Sequence, residues 1–323
     1  MTRIFITGAT GYIGRVLTEL AVSEGYDVHG LSRSDEGDAR LRKLGATPVR
    51  GELTTLDVLR RESSEADIVF HLAFIHDFAS GEFDKLVDID IAAVDALAEP
   101  LQGTDKPLVI TSSAGFVQPD PNGGETDEDA PPAPNAPVQR FRTERRALAW
   151  AEKGVRVSTI RLPQYVYGRV EGPQTTGFAV LLIKLAAQAG ESVYIDSGAN
   201  RFSSVHVDDA VRLYLLVAKR LKQQQGKTIT PGEVFNGTAS TSITFKELAT
   251  AIGAVLNVPV RSITRDEAEQ RWGKFLAGFV TIENRASSRK AVQKLGWEPK
   301  GLDLLTEIQS GSYVLVAEKL REK

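Results

Sequence analysis

Three glycines at three-residue spacing, Gly8, Gly11 and Gly14, follow a short β-branched and aromatic run, Ile4 to Ile6, and open an amphipathic stretch from Arg15 to Ser23. Strand, tight turn and helix in that order form a phosphate cradle. Gly8 permits the turn, Gly11 removes the Cβ that would block a ligand, and Gly14 lets helix and strand approach closely. The helix N-terminus offers unpaired N–H groups and the positive end of its dipole to a pyrophosphate. The spacing is TGxxGxxG rather than GxGxxG, and binding of a dinucleotide is the chemistry it implies.

The elements that must position this cradle alternate along the first half of the chain. Strand patterns fall at Asp27–Leu31, Pro48–Arg50, Ile68–Leu72 and Leu108–Thr111, and helix patterns at Gly37–Leu44, Leu56–Ser63 and Phe83–Leu101. Apolar strands separated by helices predict a parallel sheet buried on both faces, doubly wound, with ligands at the strand carboxyl ends. Residues 116–138, rich in Pro and Gly, read as a loop over the mouth of that sheet, either a lid or a mobile linker. A helix at Gln139–Lys153 and a strand at Val155–Leu162 follow. Later come helices at Phe178–Ala189, Asp208–Lys222 and Thr244–Leu256, strands near Ser192–Ile195 and Val234–Asn236, and tail helices at Ser287–Gly296 and Leu302–Lys319. Residues 1–165, with contributions from 200–236, are expected to form the nucleotide-binding domain, and residues 166–323 mainly a smaller substrate lobe.

Composition narrows the function classes. The 323 residues are 42% hydrophobic and carry a net charge of −3, so no basic surplus points to nucleic acid. There is no cysteine and only four histidines, His29, His71, His76 and His206, which are scattered, so neither a thiol nucleophile nor a metal site is expected. The chain begins directly with a strand and has no apolar run of bilayer length, so a soluble cytoplasmic protein without membrane association is expected.

Thr7-Gly-Ala-Thr-Gly-Tyr-Ile-Gly14, Val69-Phe-His-Leu-Ala73, Ile110-Thr-Ser-Ser-Ala114, Arg161-Leu-Pro-Gln-Tyr-Val-Tyr-Gly168, Val205-His-Val-Asp-Asp-Ala210 and Leu295-Gly-Trp-Glu-Pro299 together resemble the extended short-chain dehydrogenase/reductase superfamily, in its NAD-dependent epimerase/dehydratase-like branch. The resemblance implies a Rossmann-type α/β fold with a smaller C-terminal substrate lobe. It also implies cofactor contacts from Thr7, Gly8, Thr10, Gly11, Tyr12, Ile13, Gly14 and Arg15. Further contacts are implied from Leu72, Ala73 and Phe74 after the fourth strand, and from Ser112 and Pro163. Members reduce or oxidise carbonyls with a Ser/Thr–Tyr–Lys set, the Tyr and Lys lying in a YxxxK helix. Ser113 matches the serine. The matching helix reads Arg140-Phe-Arg-Thr-Glu-Arg-Arg, which puts Arg140 at the tyrosine position and Glu144 at the lysine position, or Phe141 and Arg145 if slid by one. This resembles an atypical member.

A guanidinium cannot shuttle a proton, but it binds a carbonyl oxygen or a carboxylate. Glu144 can accept hydrogen bonds from ribose hydroxyls, or pair with Arg140 at i, i+4. Two substitutes for the missing proton donor follow. Tyr165, after the sixth strand, carries a phenol, unless it merely packs against the nicotinamide. His76 leaves the fourth strand at the switch point, unless it is an exposed loop histidine. His71 reads as a core histidine, and His206 as part of a turn locking the second lobe to the first.

NAD-specific relatives end the second strand with an acid that grips the ribose hydroxyls; here Ser32 and Arg33 stand there, favouring NADP(H) over NAD(H). Arg15 is a second candidate for the 2′-phosphate, and Asp35 is the residue that would instead take the ribose. Glu52 and Leu53 correspond to the adenine edge. Candidate walls of a small-molecule pocket are Phe74, Phe78, Phe116, Tyr167, Phe178 and Arg201. With few cations for a sugar-nucleotide diphosphate, they suit a small or moderately apolar carbonyl or conjugated compound. Three activities fit: an NADPH-dependent reductase, a non-redox isomerase, epimerase or cyclase, and a non-catalytic NADP(H) sensor. The helices Phe83–Leu101 and Gln139–Lys153 would form a four-helix homodimer contact, or a solvated face.

Overall fold

In the computed structural model, which describes residues 1–75, 82–134, 138–171, 175, 177–228 and 232–321, the glycine cradle joins the first strand to the first helix as expected. The elements run β1 (Arg3–Thr7), α1 (Tyr12–Ser23), β2 (Asp27–Ser32), α2 (Asp35–Lys43), β3 (Thr47–Arg50), α3 (Leu56–Glu65), β4 (Ile68–His71) and α4 (Phe83–Ala98). Then come β5 (Pro107–Ser113), α5 (Phe141–Ala149), β6 (Arg156–Leu162), β7 (Tyr165–Tyr167), α6 (Phe178–Ala189), β8 (Ser192–Ile195), β9 (Arg201–His206) and α7 (Val207–Gln223). The chain closes with β10 (Glu233–Asn236), β11 (Ser240–Thr244), α8 (Phe245–Leu256), β12 (Val260–Ile263), α9 (Arg265–Phe279), α10 (Arg289–Leu295), α11 (Leu304–Ser310) and α12 (Val314–Arg321).

Seven strands form one parallel sheet in the order β10-β6-β5-β4-β1-β2-β3. The order reverses between β1 and β4, and that switch point opens a crevice at the carboxyl ends of the strands. This is a Rossmann-like α/β fold. Its central strands are buried on both faces: Ile4, Ile6 and Phe70 enter one apolar layer, and Phe5, Val69 and Ile110 the other. A third apolar cluster, built on Ile183, Leu248 and Leu304, fills the C-terminal portion. There β7, β9 and β11 form a three-stranded sheet, and β8 pairs with β12.

Four of these short strands, β7, β9, β11 and β12, and the whole of α9 were not expected from the sequence. The strands are three to six residues long and pair with partners far away in sequence. In α9, Gly273 takes φ 78°, ψ 161° and breaks the helical period. The expected helix at 302–319 is two helices, α11 and α12, separated around Gly311. The segment after β5 is stitched down rather than free. Gln118 N donates to Pro131 O, Thr126 bridges to Ala286, and the buried Glu128 carboxylate accepts from Asn236 N. Among the described residues no helix is long and apolar enough to cross a membrane.

Candidate dinucleotide and substrate site

Gly8 adopts φ 74°, and a Cβ there would stand 2.8 Å from Ala73 N; a Cβ at Gly14 would stand 2.0 Å from Gly8 O. Neither position tolerates a side chain, so β1, α1 and the end of β4 are drawn together around the crevice. The N-cap of α1 is Gly11, with no side-chain hydrogen bond to the helix. The N–H groups of Tyr12, Ile13 and Gly14 therefore remain available to an anion. A pyrophosphate fits this cradle: no Cβ fills it and no capping side chain occupies it.

Around the cradle lies a buried polar chain that the sequence did not disclose. Thr7 Oγ1 is 2.7 Å from His71 Nδ1, and it also accepts from Ala73 N at 3.3 Å. His71 Nε2 donates to Asp90 Oδ1 at 3.0 Å, and Arg140 Nη2 lies 3.7 Å from Asp90 Oδ2. Burial by itself pushes the Asp90 carboxyl up. The hydrogen bond from His71 and the neighbouring charges outweigh it and hold the group below its ordinary value. Arg140 Nη2 also donates to Thr111 O at 2.8 Å, and its guanidinium stacks over the Phe74 ring at 4.2 Å. His71 is thus buried as expected, but as the link between the glycine turn and α5.

The expected Arg140–Glu144 pair is absent. Arg140 is the N-cap of α5 and turns inward to Asp90 and Thr111, whereas both oxygens of Glu144 are taken by Arg161 of β6, at 2.6 and 2.9 Å. Arg161 also donates to Glu128 O. Glu144 is thereby turned toward β6 in a buried ion pair, which corrects the expectation that it holds the ribose. Tyr165 is likewise corrected. The residue is 2% exposed, its ring packs on Phe202 at 4.4 Å and Phe279 at 6.0 Å, and its hydroxyl has no partner among the described residues. Burial raises its pKa far above the ordinary tyrosine value, which opposes ionisation of the phenol. His76 and Phe78 lie outside the described residues.

Ser113 ends β5, half-buried, and its Oγ accepts from Gly115 N at 3.1 Å, leaving its own proton free to be donated. Beside it is Gln164, which the sequence reading passed over in favour of its neighbour. A Cβ on Gly115 would meet Gln164 Cγ at 3.1 Å and Ser113 Oγ at 3.4 Å. Tyr165 opens β7 and enters the C-terminal cluster, while Gln164, in the bend between β6 and β7, lies against the Ser113–Gly115 turn. Gln164 is buried, with its Oε1 unpartnered and Nε2 3.5 Å from Phe279 O. Asn284 grips the same turn, donating from Nδ2 to Ala114 O.

The remaining expectations divide. Leu72, Ala73 and Phe74 line the end of β4, Pro163 and Ser112 are buried at the ends of β6 and β5, and Phe116 is half-buried after Ser113. Phe178 stacks on Phe279 at 4.0 Å, and Phe275, beyond Gly273, stacks on Phe83 of α4 at 6.1 Å. Phe178 and Phe279 pack with Tyr165 in the C-terminal apolar cluster. The Tyr167 ring belongs to the same cluster, and its hydroxyl donates to Leu302 O. Arg201 is exposed on β9. Arg15 turns from the ribose to Glu171 and Arg169 O, and Tyr12 donates to Gly168 O on the same strap. His206 caps α7, accepting from Asp208 N, while Asp209 accepts from Lys300 N and Gly301 N, locking the tail to α7. Glu52 is exposed and accepts from Thr54, and Leu53 is buried. Thr10 packs against Gly37 over Ser32, which is fully buried. Among the described residues no group of His, Asp and Glu could hold a metal ion.

Fold and cradle together define a Rossmann-like α/β protein of the doubly wound class. The chain belongs to the NAD-dependent epimerase/dehydratase family, whose model matches residues 4–236. It is 36% identical over 313 residues to the uncharacterized protein YLL056C of Saccharomyces cerevisiae, covering 95% of this chain and 98% of that protein. It is 35% identical over 311 residues to the uncharacterized protein C2A9.02 of Schizosaccharomyces pombe, covering 96% and 99%. The fold superposes on the Thermus thermophilus UDP-glucose 4-epimerase solved with NAD, with a TM-score of 0.75 at 18% identity over 99% of both chains. Its more distant relatives include both reductases and epimerases.

Proposed function

We propose that this protein is an NADP(H)-dependent oxidoreductase that reduces a carbonyl or conjugated group of a small, largely apolar substrate without the family's Tyr–Lys pair. The observation that carries this reading is the placement, at one carboxyl edge of β1, β4 and β5, of the uncapped α1 N-terminus and the Ser113 hydroxyl. The dinucleotide, when bound, supplies or accepts the hydride. Ser113 donates a hydrogen bond to the substrate oxygen, and as the hydride arrives that oxygen takes the Ser113 proton while a water at the half-exposed turn gives its own proton to Ser113 Oγ. Arg140, fixed by Asp90, Thr111 O and the Phe74 face, holds a permanent positive charge behind β5, where charge develops on that oxygen. The mutually packed rings Phe178, Phe279 and Phe275, taken as one side of the substrate pocket, favour an apolar substrate over a sugar diphosphate.

Titration with NADPH and NADH, followed by NADPH consumption across aldehydes, ketones and enones, tests the reading. Binding of NADPH with turnover, and a kcat reduced about a hundredfold in Ser113→Ala with binding retained, is the expected result. Binding without net NADPH consumption by any carbonyl would transfer the site to a non-redox isomerase or a sensor. Failure to bind either nucleotide would overturn the cofactor reading itself.

A further inference from the structure

The first turn of α2, which follows the ribose end of β2, carries three acids: Asp35, Glu36 and Asp38. Such acids oppose a phosphate and favour ribose hydroxyls, so on charge alone this turn looks built for NAD. Each of them is already engaged. Arg50, the last residue of β3, reaches across with Nη2 to Asp35 Oδ1 at 2.5 Å and Asp38 Oδ2 at 2.7 Å. Arg40 holds Glu36, and Arg42 lies 4.0 Å from Asp38. Three carboxylates thus face three guanidiniums, and Arg33 is the surplus cation: it is exposed and forms no ion pair among the described residues. Ser32 offers no acid either, since it is 1% exposed and its Oγ lies where a Cβ on Gly37 would collide with it at 2.4 Å.

On the cofactor reading above, we infer that Arg50 is the residue that sets selectivity for a 2′-phosphorylated adenosine, by withdrawing Asp35 and Asp38 from the ribose rather than by touching the phosphate. Arg33 supplies the direct contact, and a guanidinium can grip a phosphate with two hydrogen bonds. Arg50 removes the competing role. Without it, the negative charges of Asp35 and Asp38 stand unbalanced by Arg50 beside the ribose, repel a 2′-phosphate and accept from free hydroxyls. The surface setting makes the effect sensitive to salt, so it is strongest at low ionic strength.

Calorimetric titration of the full chain in about 50 mM salt with adenosine 2′,5′-bisphosphate and with 5′-AMP, which differ only in the 2′-phosphate, tests this without turnover. The wild type is expected to prefer the bisphosphate by about tenfold or more, and Arg33→Ala to lose most of that preference. Arg50→Ala is expected to lose it to a similar extent by weakening the bisphosphate and strengthening 5′-AMP. The Arg50→Ala/Asp35→Asn/Asp38→Asn variant is expected to regain it. Arg50→Ala retaining the wild-type ratio within about twofold would overturn the inference while leaving the phosphate reading intact. A triple variant that fails to recover would assign Arg50 a direct contact and overturn it equally. A wild type that does not discriminate would overturn both.

Discussion

Asp90 of α4 and Arg140 at the start of α5 face each other at 3.7 Å in the interior, and His71 holds the other carboxylate oxygen at 3.0 Å. This buried pair joins the helix that normally carries the family's proton-transfer residues to the strand that ends beside the glycine turn. Removing one partner strands a charge in a place with little water.

Asp90→Asn is therefore expected to cost about 3 kcal/mol of stability in urea unfolding at neutral pH. The folded carboxyl is held below its ordinary value, so this contribution is full above the unfolded carboxylate pKa and is lost as pH falls through the depressed folded value. Thermal melts of the wild type should fall steeply below about pH 4, and those of Asp90→Asn less so. Parallel slopes in the two proteins would refute the pairing.

Glu144→Gln should destabilise the fold by about 3 kcal/mol while leaving NADPH affinity within about twofold, because its two oxygens serve Arg161. A loss of nucleotide affinity with unchanged stability would return Glu144 to the ribose.

Tyr165→Phe should leave kcat within about twofold and raise stability by up to about 1 kcal/mol, since a buried hydroxyl without a partner costs more than its absence. A large fall in kcat would show that the hydroxyl reaches substrate.

Arg15→Ala should leave the ratio of NADPH to NADH affinities within about twofold, because its guanidinium is committed to Glu171 and Arg169 O on the strap after β7. Binding of both nucleotides should weaken together if that strap braces α1. A selective loss of NADPH would place Arg15 at the 2′-phosphate.

Gly14→Ala is expected to abolish nucleotide binding, since its Cβ would lie 2.0 Å from a backbone oxygen that cannot move independently of the turn. Fluorescence titration with NADPH measures this, and wild-type affinity in Gly14→Ala would remove the cradle from the site.

The sequence by itself determined the parallel sheet and the glycine cradle, while Ser113 was singled out by the family resemblance. Sheet and cradle rest on local preferences: apolar runs of strand length, helical periods such as Phe178–Ala189, and glycines where a Cβ has no room. Tertiary structure decided the partners. Glu144 pairs with Arg161, seventeen residues away, rather than Arg140 at i−4, because α5 packs on β6 and Arg140 is drawn to Asp90 on α4. Arg50 meets Asp35 only because β3 lies beside β2 in the sheet. Tyr165 was turned to the C-terminal cluster, and Gln164 to the Ser113 turn, by the pairing of β7 with β9, a contact between segments far apart in sequence. Backbone preferences act over a few residues and can be read along the chain. A charged side chain takes whichever counter-charge the packed elements bring within reach, and that is settled only when they meet.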